Sequence, residues 1–139
     1  MMKLSQSPHP HLLPLLAIES DASSGVSMVA PIARYGSMLD LTDHLEFEGL
    51  TLTLAHVTVI MDQVSKAVDH LDLMGLDHGD LHARNVLVFQ FDLYCPSDIR
   101  IKLGDFGCAK KGCASSWDLL HLEQEMHALL PAFKNTCAI

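Results

Sequence analysis

His78-Gly-Asp-Leu-His-Ala-Arg-Asn85-Val-Leu-Val88 and, further on, Lys102-Leu-Gly-Asp105-Phe-Gly107 are the stretches that decide how the chain reads. They set an Asp at position 80, an Asn five residues later between apolar neighbours, and a second Asp at 105. The Phe and Gly that follow Asp105 allow it to point inward. Three oxygen-bearing side chains converging on one point suit Mg²⁺ and a phosphoryl group, because hard cations prefer carboxylate and amide oxygens.

Asp-x-x-x-x-Asn alone is a weak signal. Joined to Asn-Val-Leu-Val and Lys-Leu-Gly-Asp-Phe-Gly it is strong, and together these stretches resemble the catalytic loop and Asp-Phe-Gly segment of eukaryotic protein kinases. The match to His-Arg-Asp-x-x-x-x-Asn is good except that Gly79 stands where Arg is usual. The resemblance implies an α+β fold. Specifically, it implies a partial protein-kinase-like domain: remnant small-lobe strands and a hinge, then a mainly helical large lobe with a β-hairpin catalytic and metal loop.

The pattern around the motifs can be placed on that frame. Residues 1–11 are polar and Pro-rich, hence expected to be a loose N-terminus, and 12–139 are expected to form the partial kinase domain. Within it, 12–36 would be strand remnant and hinge, and 37–139 the large-lobe part. Leu12–Ile18 and Val26–Ile32 are apolar runs around a Ser/Asp/Gly turn, which predicts two strands. The His-Pro-His-Leu-Leu-Pro-Leu-Leu stretch from His9 resembles the lead-in to a kinase's fourth strand, a better reading of His9 and His11 than a metal pair. Gly36 relieves the backbone before a helix, with Ser37 as N-cap.

Leu54, Val57, Met61, Val64, Val68 and Leu71 recur in steps of three and four, predicting a helix from about Thr53 to Met74 that ends at Gly75. Such a stripe reads as core that supports the loop at His78. Val86–Phe91 and Ile99–Leu103 are β-like and flank a turn-rich connector. After Gly107 comes a short flexible loop, then a helix over Trp117–Leu130 with Leu119, Leu122, Met126, Leu129 and Leu130 on one face, closed by Pro131. No internal repeat is visible.

The resemblance also implies roles. Asp80 would accept or orient the proton of a substrate hydroxyl, with Arg84 beside it in the loop. Asn85 and Asp105 would hold Mg²⁺ between the phosphates of ATP, and Leu87 would floor the adenine pocket. Ala30 takes the gatekeeper position, and the carbonyl of Pro31 and amide of Ala33 would meet the adenine; Pro keeps its C=O. Asp-Leu-x-Ala-Arg-Asn is the tyrosine-kinase version of the loop, which implies a protein substrate. His82 reads as a solvated loop histidine.

Departures from the family pattern matter as much. No Gly-rich loop or Val-Ala-x-Lys strand precedes Leu12, the partnering Glu is absent, and no Ala-Pro-Glu follows. Only 10 residues separate Gly107 from Asp118, and Gly79 removes the Arg that would read an activation-loop phosphate. The family's Lys–Glu pair is required for ordinary turnover, so negligible kinase activity is expected of this chain. Two other readings stay open: a non-catalytic pseudokinase acting as a binding module, and a small-molecule kinase of the aminoglycoside or choline type, whose loops often read His-Gly-Asp-x-x-x-x-Asn.

Bulk properties narrow the field. The 139 residues allow one domain. A net charge of −8 argues against nucleic acid or anionic membrane as partner. Four cysteines without paired spacing make neither a zinc site nor a secreted disulfide framework, and reduced thiols in a soluble cytoplasmic protein are the expectation. The apolar run after Lys3 is interrupted by Pro10, His11 and Pro14 and lacks a small-residue cleavage site, unlike a signal peptide. No run reaches the ~18 apolar residues of a membrane helix.

Overall fold

The computed structural model describes residues 8–114 and 116–130. Among them the chain forms six strands and three α-helices: β1 (Ala17–Asp21), β2 (Gly25–Val29), α1 (Met38–Phe47), α2 (Leu54–Leu73), β3 (Leu76–Asp77), β4 (Val86–Gln90), β5 (Arg100–Leu103), β6 (Lys110–Lys111) and α3 (Ser116–Ala128). The strands pair antiparallel as three separate ladders, β1–β2, β3–β6 and β4–β5.

The long central helix α2 organises the core. Its first backbone amide, at Thr53, donates to His56 Nδ1 at 2.9 Å, satisfying one of the donors a helix start leaves open. Gly75, at φ +70°, turns the chain out at the other end, a conformation glycine adopts without a Cβ penalty. The buried face is rotated slightly from the expected stripe. Ile60 and Ala67 join Val57, Val64, Val68 and Leu71, whereas Leu54 is 58% exposed and Met61 half-buried. Each fully buried aliphatic of this kind stabilises by about 1.5–3 kcal/mol.

That face packs on β5, whose Ile101 and Leu103 are fully buried, and on α3 through Leu122 and Met126. Gln63 ties α2 to the strand end: its Nε2 donates to the Ile99 carbonyl at 2.7 Å, and its Oε1 accepts from the Ile101 amide at 2.9 Å. Helix α1 begins at Ser37 with a capping box. Asp40 N donates to Ser37 Oγ at 3.3 Å, and Ser37 N donates to Asp40 Oδ2 at 2.8 Å.

Differences from expectation sit mainly at the N-terminal end. The first hairpin spans Ala17–Asp21 and Gly25–Val29 rather than Leu12–Ile18 and Val26–Ile32, and all ten of its residues are exposed. Leu12, expected in that strand, is instead buried beside Leu103, and Leu13 N donates to the Leu103 carbonyl at 2.8 Å. Of the segment expected to be loose, residues 8–11 are described: Leu103 N donates to the His11 carbonyl at 2.9 Å, and His11 Nδ1 lies 3.0 Å from the Ile101 carbonyl. The loop after Gly107 carries the short strand β6, paired with β3. Pro131 and Cys137 lie outside the described residues; Cys95, Cys108 and Cys113 are free thiols.

Candidate functional site

The loop between β3 and β4 is built around a buried imidazole. His78 is 1% exposed. Its Nε2 is 2.7 Å from the Gly104 carbonyl and its Nδ1 accepts from the Asp80 amide at 3.2 Å. Nε2 therefore carries the proton, since a neutral imidazole donates from one nitrogen and accepts at the other. One side chain thus fixes the backbone on either side of the site, at Asp80 and immediately before Asp105. A second tie runs from the Gly104 amide to the Asn85 carbonyl at 2.9 Å. Asp80, Asn85 and Asp105 are brought to the same end of the β4–β5 hairpin.

Asp80 is held by its neighbours. Arg84 Nη2 donates to both carboxylate oxygens at 3.0 and 3.1 Å. Asn85 Nδ2 donates to Asp80 Oδ2 at 3.0 Å and to its backbone carbonyl at 2.8 Å. Partial burial works to raise the Asp80 pKa, but the hydrogen bonds from Arg84 and Asn85 and the Arg84 charge outweigh it, leaving the carboxyl below its usual range. Asp80 is an anion at neutral pH.

Asp105 is exposed and sits at φ +54°, the left-handed region. Non-glycine residues visit it rarely, and Asp more than most. Its Oδ1 takes a long contact from the Gly107 amide, at 3.3 Å. The donor set fits Mg²⁺. Asn85 spends its amide nitrogen on Asp80, and no hydrogen bond reaches its Oδ1 among the described residues. Asp105 offers a carboxylate. Mg²⁺ takes one or two protein carboxylates and completes its shell with phosphates and water.

Residues 30–36 meet the site through β4. Tyr35 N donates to the Val88 carbonyl at 3.1 Å and Val88 N to the Gly36 carbonyl at 2.8 Å. This sets the 30–36 segment beside Leu87, which is half-buried and packs over Gly104 toward Leu13. Ala30, Pro31 and Ala33 are each half-buried. The Ala33 carbonyl is taken by Gly36 N at 3.1 Å, while the Pro31 carbonyl and Ala33 amide have no partner among the described residues. They are the two groups expected to meet adenine.

Two residues carry more than the sequence suggested. His82, read as solvated, is half-exposed but lies 3.3 Å from Asp80 Oδ1 and 3.6 Å from Glu125 Oε2. Glu125, on α3, also accepts the Ala83 amide at 3.1 Å, so it braces the loop from outside. Glu125 and Ala83 are 42 positions apart in sequence, and no local signal pointed to Glu125.

The ties that join residues 30–36 to β4 and bring Asp80, Asn85 and Asp105 to one end of the β4–β5 hairpin are those of a protein-kinase-like domain. Residues 1–128 match the family described as protein tyrosine and serine/threonine kinase, and the chain belongs to that family. It is 33% identical over 79% of its length to tyrosine-protein kinase Fgr of Mus musculus. It is 31% identical over 73% of its length to tyrosine-protein kinase SRK3 of Spongilla lacustris, and 30% over 78% to serine/threonine-protein kinase US3 of human herpesvirus 2 (strain HG52). The matched regions span 19%, 28% and 20% of those proteins respectively. No helix among the described residues is long and apolar enough to cross a membrane.

Proposed function

We propose that the chain binds Mg-ATP at the Asp80–Asn85–Asp105 cluster and that its reaction is transfer of the γ-phosphoryl group to a protein hydroxyl, tyrosine-type by loop sequence. The observation that carries this is His78, which locks the Asp80 loop to the segment before Asp105. Phosphoryl transfer asks mainly for positioning and charge neutralisation. Asn85 and Asp105 would hold the metal, which supplies charge neutralisation at the phosphates. Asp80, kept anionic by Arg84 and Asn85, is suited to orient the substrate hydroxyl more than to draw its proton early, since a depressed pKa makes a weak base. Ala30, Pro31, Ala33 and Leu87 would frame the adenine.

Turnover by the residues given, taken by themselves, is proposed to be weak, because none of them forms a Val-Ala-x-Lys strand or Gly-rich loop. A nucleotide-binding pseudokinase is accordingly the second reading. Thermal-shift titration decides between binding and its absence: with Mg-ATP about 100-fold above Kd the native state gains about 2.7 kcal/mol. The gain is expected to need Mg²⁺ and to vanish in Asp105→Asn. No shift in the unaltered protein defeats the nucleotide reading. Peptide phosphorylation lost in Asp80→Asn would establish catalysis, and preference for small amines or alcohols would move the substrate class to the aminoglycoside type.

A further inference from the structure

Along β5 the β4–β5 hairpin bears a groove of about 650 Å³ whose charge runs against that of the molecule. Lys66 from α2 and Arg100 and Lys102 from β5 line it, with His11 and Asp62. Three of the nine Lys and Arg of a chain with net charge −8 therefore share one depression.

Their compensation is slight. Lys66 pairs with Asp62 at 2.8 Å, both side chains mostly exposed, an arrangement of little net worth. Arg100 Nη1 donates to the carbonyls of Ser97 and Ile99, and Lys102 Nζ to that of Pro10. Neither cation has a carboxylate partner among the described residues. His11 registers the excess: burial lowers its pKa first, and Lys102, Lys66 and Arg100 lower it further.

The groove is also firm. Its floor is Ile101, fully buried, with the Gln63 amide clamping the backbone at Ile99 and Ile101. Val59 adds an apolar contact on the wall. Arg100 pairs with Gln90 at the hairpin end opposite Asn85 and Gly104, whereas Lys102 pairs with Leu87, so the groove runs along β5 and its Arg100 end is the part remote from the nucleotide cluster.

We propose that this groove docks an acidic peptide segment of a partner protein, its carboxylates on Lys66, Arg100 and Lys102 and an apolar side chain over Val59. Carboxylates meet these cations by charge-assisted hydrogen bonds. Nucleic acid is disfavoured: no Phe, Tyr or Trp lines the groove to stack a base, and the overall negative field repels a long polyanion.

Fluorescence anisotropy with a short fluorescein-labelled peptide of alternating Glu and Leu tests this on the full chain. The peptide is expected to bind, to weaken with salt, and to lose at least about tenfold in affinity in Lys66→Glu/Arg100→Glu. Mg-ATP thermal shift should be unchanged in that variant. If it does not fold by circular dichroism, Lys66→Gln/Arg100→Gln serves, with a smaller loss. Equal binding of a Gln-for-Glu peptide, undiminished binding by the folded variant, or tighter groove-dependent binding of an oligonucleotide or of phosphatidylserine vesicles overturns the proposal.

Discussion

Gly79 lies directly under the backbone of Cys108: its φ is +82°, and a Cβ there would run into the Cys108 carbonyl oxygen. Where most family loops carry Arg, this chain has a position that excludes any side chain. Restoring the family residue is therefore expected to harm the fold. A left-handed L-residue costs about 1–2 kcal/mol before any clash, so Gly79→Ala should lose about 2 kcal/mol and Gly79→Arg more. Urea denaturation measures both, and an Arg variant as stable as the unaltered protein would contradict the relationship.

His78 joins the Asp80 amide to the Gly104 carbonyl from a buried position. Removing it leaves the buried Gly104 carbonyl and the part-buried Asp80 amide unmatched, at about 1–3 kcal/mol for a buried group, and opens a cavity. His78→Ala should cost about 3–5 kcal/mol and abolish the Mg-ATP thermal shift even where the protein is still folded. Asn at the same position would still offer both a donor and an acceptor and should recover part of the stability. Equal losses for Ala and Asn would point to packing alone.

Gln63 performs a similar task for the hairpin. Its amide satisfies Ile99 and Ile101 from within the core. Gln63→Leu keeps the volume but strands a carbonyl and an amide, so a loss of about 2–4 kcal/mol is expected. Hydrogen exchange should show the Ile101 amide losing protection. Protection at the unaltered level would mean that water replaces the side chain.

Legibility in the sequence follows how local each cause is. Helix α2 was readable to within a residue because its periodicity, Thr53 start and Gly75 stop are all contained in the segment. The Ser37 cap and the β4–β5 pair were readable for the same reason. Strands β1 and β2 were not placed correctly: register is well specified only where one face is buried, and here every residue of both strands is exposed. Leu12 looked like part of that strand because its burial against Leu103 is a tertiary fact. Among the loop residues, Asp80, Asn85 and Asp105 announce themselves by spacing. Glu125 and the bridging role of His78 do not, because each depends on a contact between segments far apart in sequence.

The docked N-terminal segment should be sensitive to mild acid. His9 stacks on His70 with ring centroids 4.8 Å apart and meets His11 edge-on at 5.6 Å. Burial first, then His70, His11 and Lys102, push the His9 pKa below its ordinary value of 6.5. Burial also lowers that of His11, with Lys102, Lys66 and Arg100 acting the same way; only the bond to the Ile101 carbonyl opposes them. Both folded pKa values thus lie below 6.5, so the unfolded chain binds protons more readily. Stability contributed by these rings is unaffected above about pH 6.5 and is lost as pH falls from there through the folded pKa values. Asp40 and Asp80, both depressed, stay ionised in that window. The melting temperature should therefore be lower at mildly acidic than at mildly alkaline pH, and the gap should shrink in His9→Gln/His11→Gln. A gap of the same size in the double variant would move the acid sensitivity to other groups.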